Sequence, residues 1–321
     1  MESSPSAPVQ ESPGRLRLVV VAMFQDEERF LPTFLSSLAA QTRRPDHVYL
    51  VDDGSRDRSA ELAGAYAATA AAVTLVRRPV RPAEQDRLAG AAELKAFQAV
   101  VEDLEPTWEV LAKMDADLDL SPRTIETIEA AFLDEPRLGI AGAFLDEFDA
   151  TGARTTVIGG EGHVRGATKF YRRGCWLDIS PIPATLGWDT LDEIVARHHG
   201  WRTRSVVVPG GQPIHLRPVG THGSILRSFR RWGECSYGYG AHPLQALYYG
   251  VKLGVTRRPR IVGGVNYVAG WLGCYARRAP RAGPELRRIV RAEQLGRARS
   301  RLSSAAWRRR LSGLRRTTHV G

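Results

Sequence analysis

Asp115 and Asp117 stand one residue apart in the run Lys113-Met114-Asp115-Ala116-Asp117. Two carboxylates so spaced in a loop can share one Mg2+ or Mn2+ ion that keeps its other positions for water and phosphate oxygens. The alternative is a solvated turn leading into the next helix. A second acidic pair opens Asp52-Asp53-Gly54-Ser55-Arg56-Asp57, which reads either as a turn placing carboxylates near the positive end of a helix or as a ligand-facing group. A third acidic group lies in Gly187-Trp188-Asp189-Thr190-Leu191-Asp192-Glu193, where Asp189, Asp192 and Glu193 also favour a helix start. His215 follows a short apolar strand. Neutral imidazole is an acceptable Mn2+ ligand beside carboxylates, although a lone histidine is usually structural. His163 sits in the glycine-rich loop over 159–166 and is a candidate substrate contact.

The elements that must hold these residues alternate between two periods. The apolar run Leu18 to Phe24 reads as a buried strand, and Phe30, Leu31, Phe34, Leu35 and Leu38 recur at helical spacing after it. Val48 to Val51 is a second strand, which ends at Asp52-Asp53. Ser59 to Ala72 follows as a helix and Val73 to Val76 as a third strand. Trp108 to Met114 is a strand ending at Asp115, and Ser121-Pro122 predicts the start of a helix carrying Ile125, Ile128 and Phe132. Alternating strand–helix units predict an α/β fold with a doubly wound, mainly parallel sheet, whose ligands bind beyond the carboxyl ends of the strands. Both acidic pairs fall at such ends.

Taken in order, these motifs resemble the inverting family 2 glycosyltransferases of the GT-A fold. The resemblance covers roughly residues 16 to 216. It rests on Glu27-Glu28 after the first strand, Gln41-Thr42 and Pro45 before the second, the VDDGSRD turn, and Asp115-Ala116-Asp117. It implies a nucleotide-binding half and an acceptor half. It implies that Asp53 accepts a hydrogen bond from the nucleotide base, Asp115 approaches the ribose and can share the metal, and Asp117 holds the metal on the diphosphate. Glu27, Asp52 and Arg87 would line the same nucleotide-sugar site, and His215 would complete the metal site. Arg197 and Gly200 follow Asp189 at the spacing of the family's ED motif, which makes Asp189 the general base, with Trp188 replacing the usual glutamate. Asp192, Glu193, Trp188 and His163 then fall on the acceptor side. Arg231-Trp232 matches the end of the QxxRW motif of processive members, but Ser228 occupies the glutamine position, so processive polymerisation is not implied. Trp232 could stack on a sugar or pack a subdomain.

Composition bounds the rest. The chain has 321 residues, 43% hydrophobic, and a net charge of +10, which is ordinary globular composition. From Arg277 onward there are 14 Arg and 2 Glu, leaving residues 1–276 at a net −2. The division expected is a disordered N-terminus (1–15), a catalytic domain (16–216) and a helical, basic C-terminal extension made of an aromatic and basic subdomain (217–280) and an Arg-rich tail (281–321). Three cysteines without a CxxC pair suit a reducing compartment. No secretory signal or spanning helix is expected. Tyr248, Tyr249, Trp271 and neighbouring aliphatics beside Arg257-Arg258 suit a membrane interface, so the expected location is cytoplasmic, peripheral on the inner face of the membrane. The expected partners are a nucleoside diphosphate sugar, a hydroxyl-bearing glycan or glycolipid acceptor, and an anionic membrane surface. A nucleotidyltransferase would show a glycine-rich basic loop where Gln25-Asp26-Glu27-Glu28 stands. A nucleic-acid-binding protein using the Arg-rich tail is the weaker rival, because it leaves the carboxylates without a role.

Overall fold

The computed structural model describes residues 14–80, 89–148, 152–157, 162–185, 187–217 and 225–303. Arg87 lies outside them. The described chain forms two compact units.

The first unit contains β1 (Leu18–Phe24), α1 (Leu31–Ala39), β2 (His47–Asp52), α2 (Ser59–Thr69) and β3 (Val73–Arg77). After α3 (Ala89–Glu102), which divides between the units at Lys95, come β4 (Val110–Asp115), β5 (Leu118–Asp119), α4 (Thr124–Asp134), β6 (Leu138–Ala143) and β7 (Leu145–Phe148). β8 (Arg154–Val157), β9 (Thr168–Arg172), α5 (Arg173–Ile179), β10 (Arg202–Val206) and β11 (Ile214–His215) complete it. Seven strands form one sheet in the order β10-β6-β9-β4-β1-β2-β3, parallel except for β9. All seven residues of β1 are buried, as expected of a central parallel strand covered on both faces. Leu31, Phe34, Leu35 and Leu38 of α1 and Ile125, Ile128 and Phe132 of α4 close the core.

Register carries the acidic residues to one edge. Met23 pairs with Val51 on one side and with Asp115 on the other, and Phe24 pairs with Asp52. The carboxyl ends of β2 and β4 therefore flank the end of β1. A small second sheet, β5-β11-β7-β8, lies beyond them. In it His215 stands opposite Leu118 of β5 and Glu147 of β7.

One local expectation is corrected. The helix expected at Ser121-Pro122 begins at Thr124, without a side-chain cap. The Ser121 carbonyl closes a turn ahead of the helix, accepting from the Thr124 amide (3.0 Å) and Thr124 Oγ1 (2.7 Å) as well as from Gln41 Nε2 (2.8 Å), and the Pro122 carbonyl accepts from the Thr42 amide (2.9 Å). Gln41 also accepts from the Ile125 amide at 3.1 Å. The Gln41-Thr42 pair thus fixes the segment that follows Asp117.

The second unit contains α6 (Trp188–His198), α7 (Ile225–Gly238), α8 (Pro243–Thr256), α9 (Val262–Ala276) and α10 (Pro284–Ser303). Its regular elements among the described residues, the first part of α3 included, are all helices. No helix there or elsewhere among the described residues is long and apolar enough to cross a membrane.

Candidate active site

The two loops at the ends of β1 and β2 are zipped together by reciprocal hydrogen bonds. Asp26 accepts from the Arg56 amide (2.7 Å) while the Asp26 amide donates to Ser55 Oγ (3.1 Å). Glu28 and the 57–58 segment repeat the exchange: the Glu28 amide donates to Asp57 (3.0 Å) and Glu28 accepts from the Arg58 amide (3.1 Å). Asp52 is buried, and its Oδ1 accepts from the Ser55 amide at 2.8 Å. Gly54 makes the turn at φ +86°, where a Cβ would fall 2.6 Å from Val80 Cα. No other residue fits that approach. Asp53 is also buried, with its amide donating to the Phe24 carbonyl (2.9 Å) and its carboxylate 3.5 Å from Arg78 Nε.

Beside this scaffold lies the acidic centre. One ligand atom each from Asp115, Asp117 and His215 lies within 4.8 Å of the others. That span is slightly more than the ~4.2 Å between opposite ligands of an ion bound at ~2.1 Å. Asp117 Oδ1 lies 3.3 Å from His215 Nε2, and His215 Nδ1 lies 3.8 Å from Glu147 Oε1. Arg217 Nε reaches Asp117 Oδ2 at 3.2 Å, and its guanidinium also grips Glu27. Lys113 pairs with Asp115, and Arg165 with Glu147.

Three buried polar atoms here make no hydrogen bond: Asp117 Oδ1, His215 Nδ1 and Glu27 Oε2. Buried polar atoms are rarely left so, and two of these belong to residues of the candidate metal cluster. The donor set of two carboxylates and an imidazole suits Mn2+ or Mg2+, so the residues fit a divalent ion.

The charges are strongly perturbed. Burial would lower the His215 pKa, but Asp117, Glu147 and Asp115 outweigh it and raise it to about 9. Burial would raise the Asp117 pKa, yet His215 and Arg217 hold it below the usual carboxylate range. Burial pushes Glu27 up to about 7, against the pull of Arg217.

Glu27, Asp52, Asp53, Asp115, Asp117 and His215 thus all belong to the first unit. His163 is there too, in a segment tied to β10: its carbonyl accepts from Ser205 Oγ (2.8 Å), and Gly162 accepts from Thr203 Oγ1 (2.5 Å). It is not a member of the metal cluster. Asp189, Trp188, Asp192, Glu193 and Trp232 belong to the second unit. On α6, Trp188, Asp192 and Glu193 are buried, and Arg197 links Glu193 (3.6 Å) to Glu293 (2.9 Å). Asp189, in the first turn, is half-buried. Trp232 is exposed on α7, edge-on to Phe229 at 5.1 Å between ring centres.

Sequence reasoning missed Arg217, Glu147, Lys113 and Arg165. A signal existed for Arg217. His215 and Arg217 alternate as Asp115 and Asp117 do, and alternate residues of an extended chain share a side.

A mainly parallel sheet with carboxylates, a histidine and paired basic side chains at its carboxyl edge is the architecture of an α/β transferase of the GT-A kind. Residues 18–184 match the model of Glycosyl transferase family 2. The match spans just over half of the chain, and the chain belongs to that family; it is a glycosyltransferase. No curated protein matches it. Among solved structures, it is similar to the mannosyltransferase PcManGT of Pyrobaculum calidifontis in complex with GDP-Man and Mn2+ (TM-score 0.52, 15% identity, covering 92% of this chain and 84% of that one). It is also similar to TarS of S. aureus (TM-score 0.52, 15% identity), covering 86% of this chain and half of TarS. GalNAc-T7 with UDP, GalNAc and Mn2+ is a third (TM-score 0.51, 13% identity, 83% and 56% covered). These likenesses concern the fold.

Proposed function

We propose that the protein is a metal-dependent inverting glycosyltransferase that moves one sugar from a nucleoside diphosphate sugar to a hydroxyl of a glycan or glycolipid acceptor. The observation that carries this reading is the Asp115, Asp117 and His215 cluster, with its orphaned buried atoms, beside the Arg217 guanidinium. Mn2+ accompanies the nucleotide sugar or nucleotide in the names of two similar structures. Asp115, Asp117 and His215 would hold the ion, which when bound neutralises charge on the departing nucleoside diphosphate. Asp53 would accept from the base. Arg217, freed from Glu27 or Asp117, would add a guanidinium fork to the diphosphate. Asp189 would take the acceptor proton as the hydroxyl attacks from the face opposite the leaving group, and a single displacement inverts the anomeric carbon.

The donor is identified by thermal shift with UDP, GDP, dTDP and their sugars, with and without Mn2+. A true donor at 100 times its dissociation constant adds ~2.7 kcal/mol. No shift with any nucleotide plus Mn2+ would remove the reading.

The site also predicts a pH dependence. A group whose pKa is raised in the folded protein is stabilising while protonated. The His215 contact is therefore fully present below about pH 6.5 in the metal-free protein and is lost as the pH rises through about 9. Metal binding must displace that proton, so Mn2+ affinity is expected to rise about tenfold per pH unit from 7 toward 9. Mn2+ titrations followed by electron paramagnetic resonance at pH 6.5, 7.5 and 8.5 test this; equal affinities would show that His215 is not a ligand.

Peripheral membrane attachment belongs to the same proposal. α8 and α9 carry one charged residue, Lys252, and expose Leu244, Leu247, Val251, Val255, Val262 and Val265. At ~1.5 Å per residue each helix is shorter than the ~30 Å hydrocarbon layer. Arg257, Arg258 and Arg260 at one end and Arg277 and Arg278 at the other suit helices lying in the interface of an anionic leaflet. Full-length protein is expected to co-sediment with anionic vesicles, and Leu247→Glu/Val251→Glu/Val265→Glu to remain in the supernatant. Equal sedimentation of both would refute this attachment.

A further inference from the structure

The second unit carries a groove of about 560 Å³ on α10, lined by Arg281, Arg287, Arg288 and Arg291 with Pro284 and Leu295. Positions 284, 287, 288, 291 and 295 are spaced at i, i+3, i+4, i+7 and i+11, the pattern that on an ordinary amphipathic helix is an apolar stripe. Here three of the five are arginines, and Arg281 adds a fourth from the preceding segment.

Protein contacts position three of these side chains. The Arg281 guanidinium lies 5.6 Å from the ring centres of both Tyr237 and Tyr275. Arg291 Nε donates to the Gly240 carbonyl at 3.4 Å. The stem of Arg287 lies over Gly240, where a Cβ would fall 2.3 Å from Arg287 Cγ. Arg287 and Arg291 are half-buried.

Among the described residues, none of the four makes an ion pair. Of the two carboxylates on α10, Glu293 is committed to Arg197 and Arg297, both at 2.9 Å, and Glu285 makes no ion pair with the groove arginines. Four guanidiniums gathered around one concavity repel one another until an anion enters. Planar donor forks match phosphate oxygens bidentately.

We propose that this groove binds a phosphate-bearing anion carrying two adjacent phosphates or their equivalent in charge, at a site separate from the metal cluster. The inference stands independently of the glycosyl-transfer reading, since the residues that build the groove lie on α7, the turn after it, α9, α10 or the segment before α10. The anion is either a soluble phosphate-bearing molecule or the headgroup of a membrane lipid.

The test uses the full-length protein in EDTA, so that the metal cluster does not recruit the probe. Inorganic pyrophosphate is titrated calorimetrically into wild type, Arg288→Ala/Arg291→Ala, and Arg17→Ala/Arg44→Ala, which removes equal charge from exposed positions of the first unit that do not line the groove. The groove variant is expected to bind pyrophosphate at least tenfold more weakly, and the control to bind like wild type. Circular dichroism melting confirms that both variants stay folded. Equal binding by wild type and the groove variant, absence of binding to wild type, or a loss as large in the control would overturn the proposal. Arg288→Lys/Arg291→Lys, which keeps the charge and loses the forks, is expected to fall between wild type and the alanine variant; binding as weak as the alanine variant also supports the site, whereas wild-type affinity would reduce it to a non-specific basic surface and overturn it. Vesicles of phosphatidylglycerol and of phosphatidylcholine, offered to the same variants, separate the two sources. Loss of phosphatidylglycerol binding together with pyrophosphate binding assigns a lipid headgroup, and loss of pyrophosphate binding alone assigns a soluble anion.

Discussion

Asp117→Asn is expected to lower kcat/KM by about 10³-fold or more while the protein stays folded. Asp117 is buried at the point where three cationic demands meet: His215 at 3.3 Å, Arg217 at 3.2 Å, and the divalent ion proposed for the cluster. An amide keeps the shape but supplies no charge to any of them. A divalent ion contributes several kcal/mol of charge stabilisation in phosphoryl-leaving chemistry, and each 1.36 kcal/mol is tenfold in rate. Loss of a ligand should therefore show first as a rightward shift in the Mn2+ dependence of turnover, then as a lower plateau. Melting temperature is measured alongside, because Arg217 and His215 lose a buried partner and some stability goes with it. Near-normal turnover by Asp117→Asn would remove Asp117 from the ligand set. Full activity of the wild type in excess EDTA after extended dialysis would remove the metal altogether.

The strand ends that carry this centre were legible because β1, β2 and β4 are short apolar runs that stop at acidic residues, and parallel pairing aligns such stops without further information. The VDDGSRD turn was legible as a motif, but its division of labour was not. Asp52 and Asp57 spend hydrogen-bonding capacity on amides of their own loops and of the β1 loop, work that only the folded register makes visible. Arg217 was hidden for a different reason. It lies 100 residues from Asp117 in the chain, and the strand that brings it back, β11, has two residues, too few for any period to show. Glu147 joined the centre through the same two-residue pairing.

In the second unit the helices were legible in outline, yet the burial of individual acids on α6 was not. Asp189, Asp192 and Glu193 look equivalent as acidic residues opening a helix. The structure separates them. Asp192 and Glu193 face inward, and Glu193 enters a relay through Arg197 to Glu293 on α10, whereas Asp189 keeps partial access to solvent. The α6–α10 relay also explains why an arginine-rich helix is ordered against this unit: Glu293 gives it one fixed ionic contact, and Val290, fully buried, gives it an apolar one.

That separation sharpens the expectation for Asp189→Asn, which should retain the fold and donor binding and lose 10² to 10⁴ in kcat, the typical contribution of general base catalysis. The substitution removes the proposed proton acceptor while conserving volume and the helix-start position. Because the proposed role of Asp189 is toward the acceptor hydroxyl and not toward the metal or the nucleotide, the nucleotide's thermal shift with Mn2+ should be the same in wild type and variant. The decrease should fall in kcat with little change in the donor KM, the pattern of an interaction made only in the transition state. Asp192→Asn and Glu193→Gln serve as comparisons on the same helix: both are buried, so they should lower the melting temperature while leaving kcat of the folded protein within a few-fold. A variant set in which Asp189→Asn turns over normally and Glu193→Gln does not would move the base one turn along α6, and a set in which all three turn over normally would take the base off this helix.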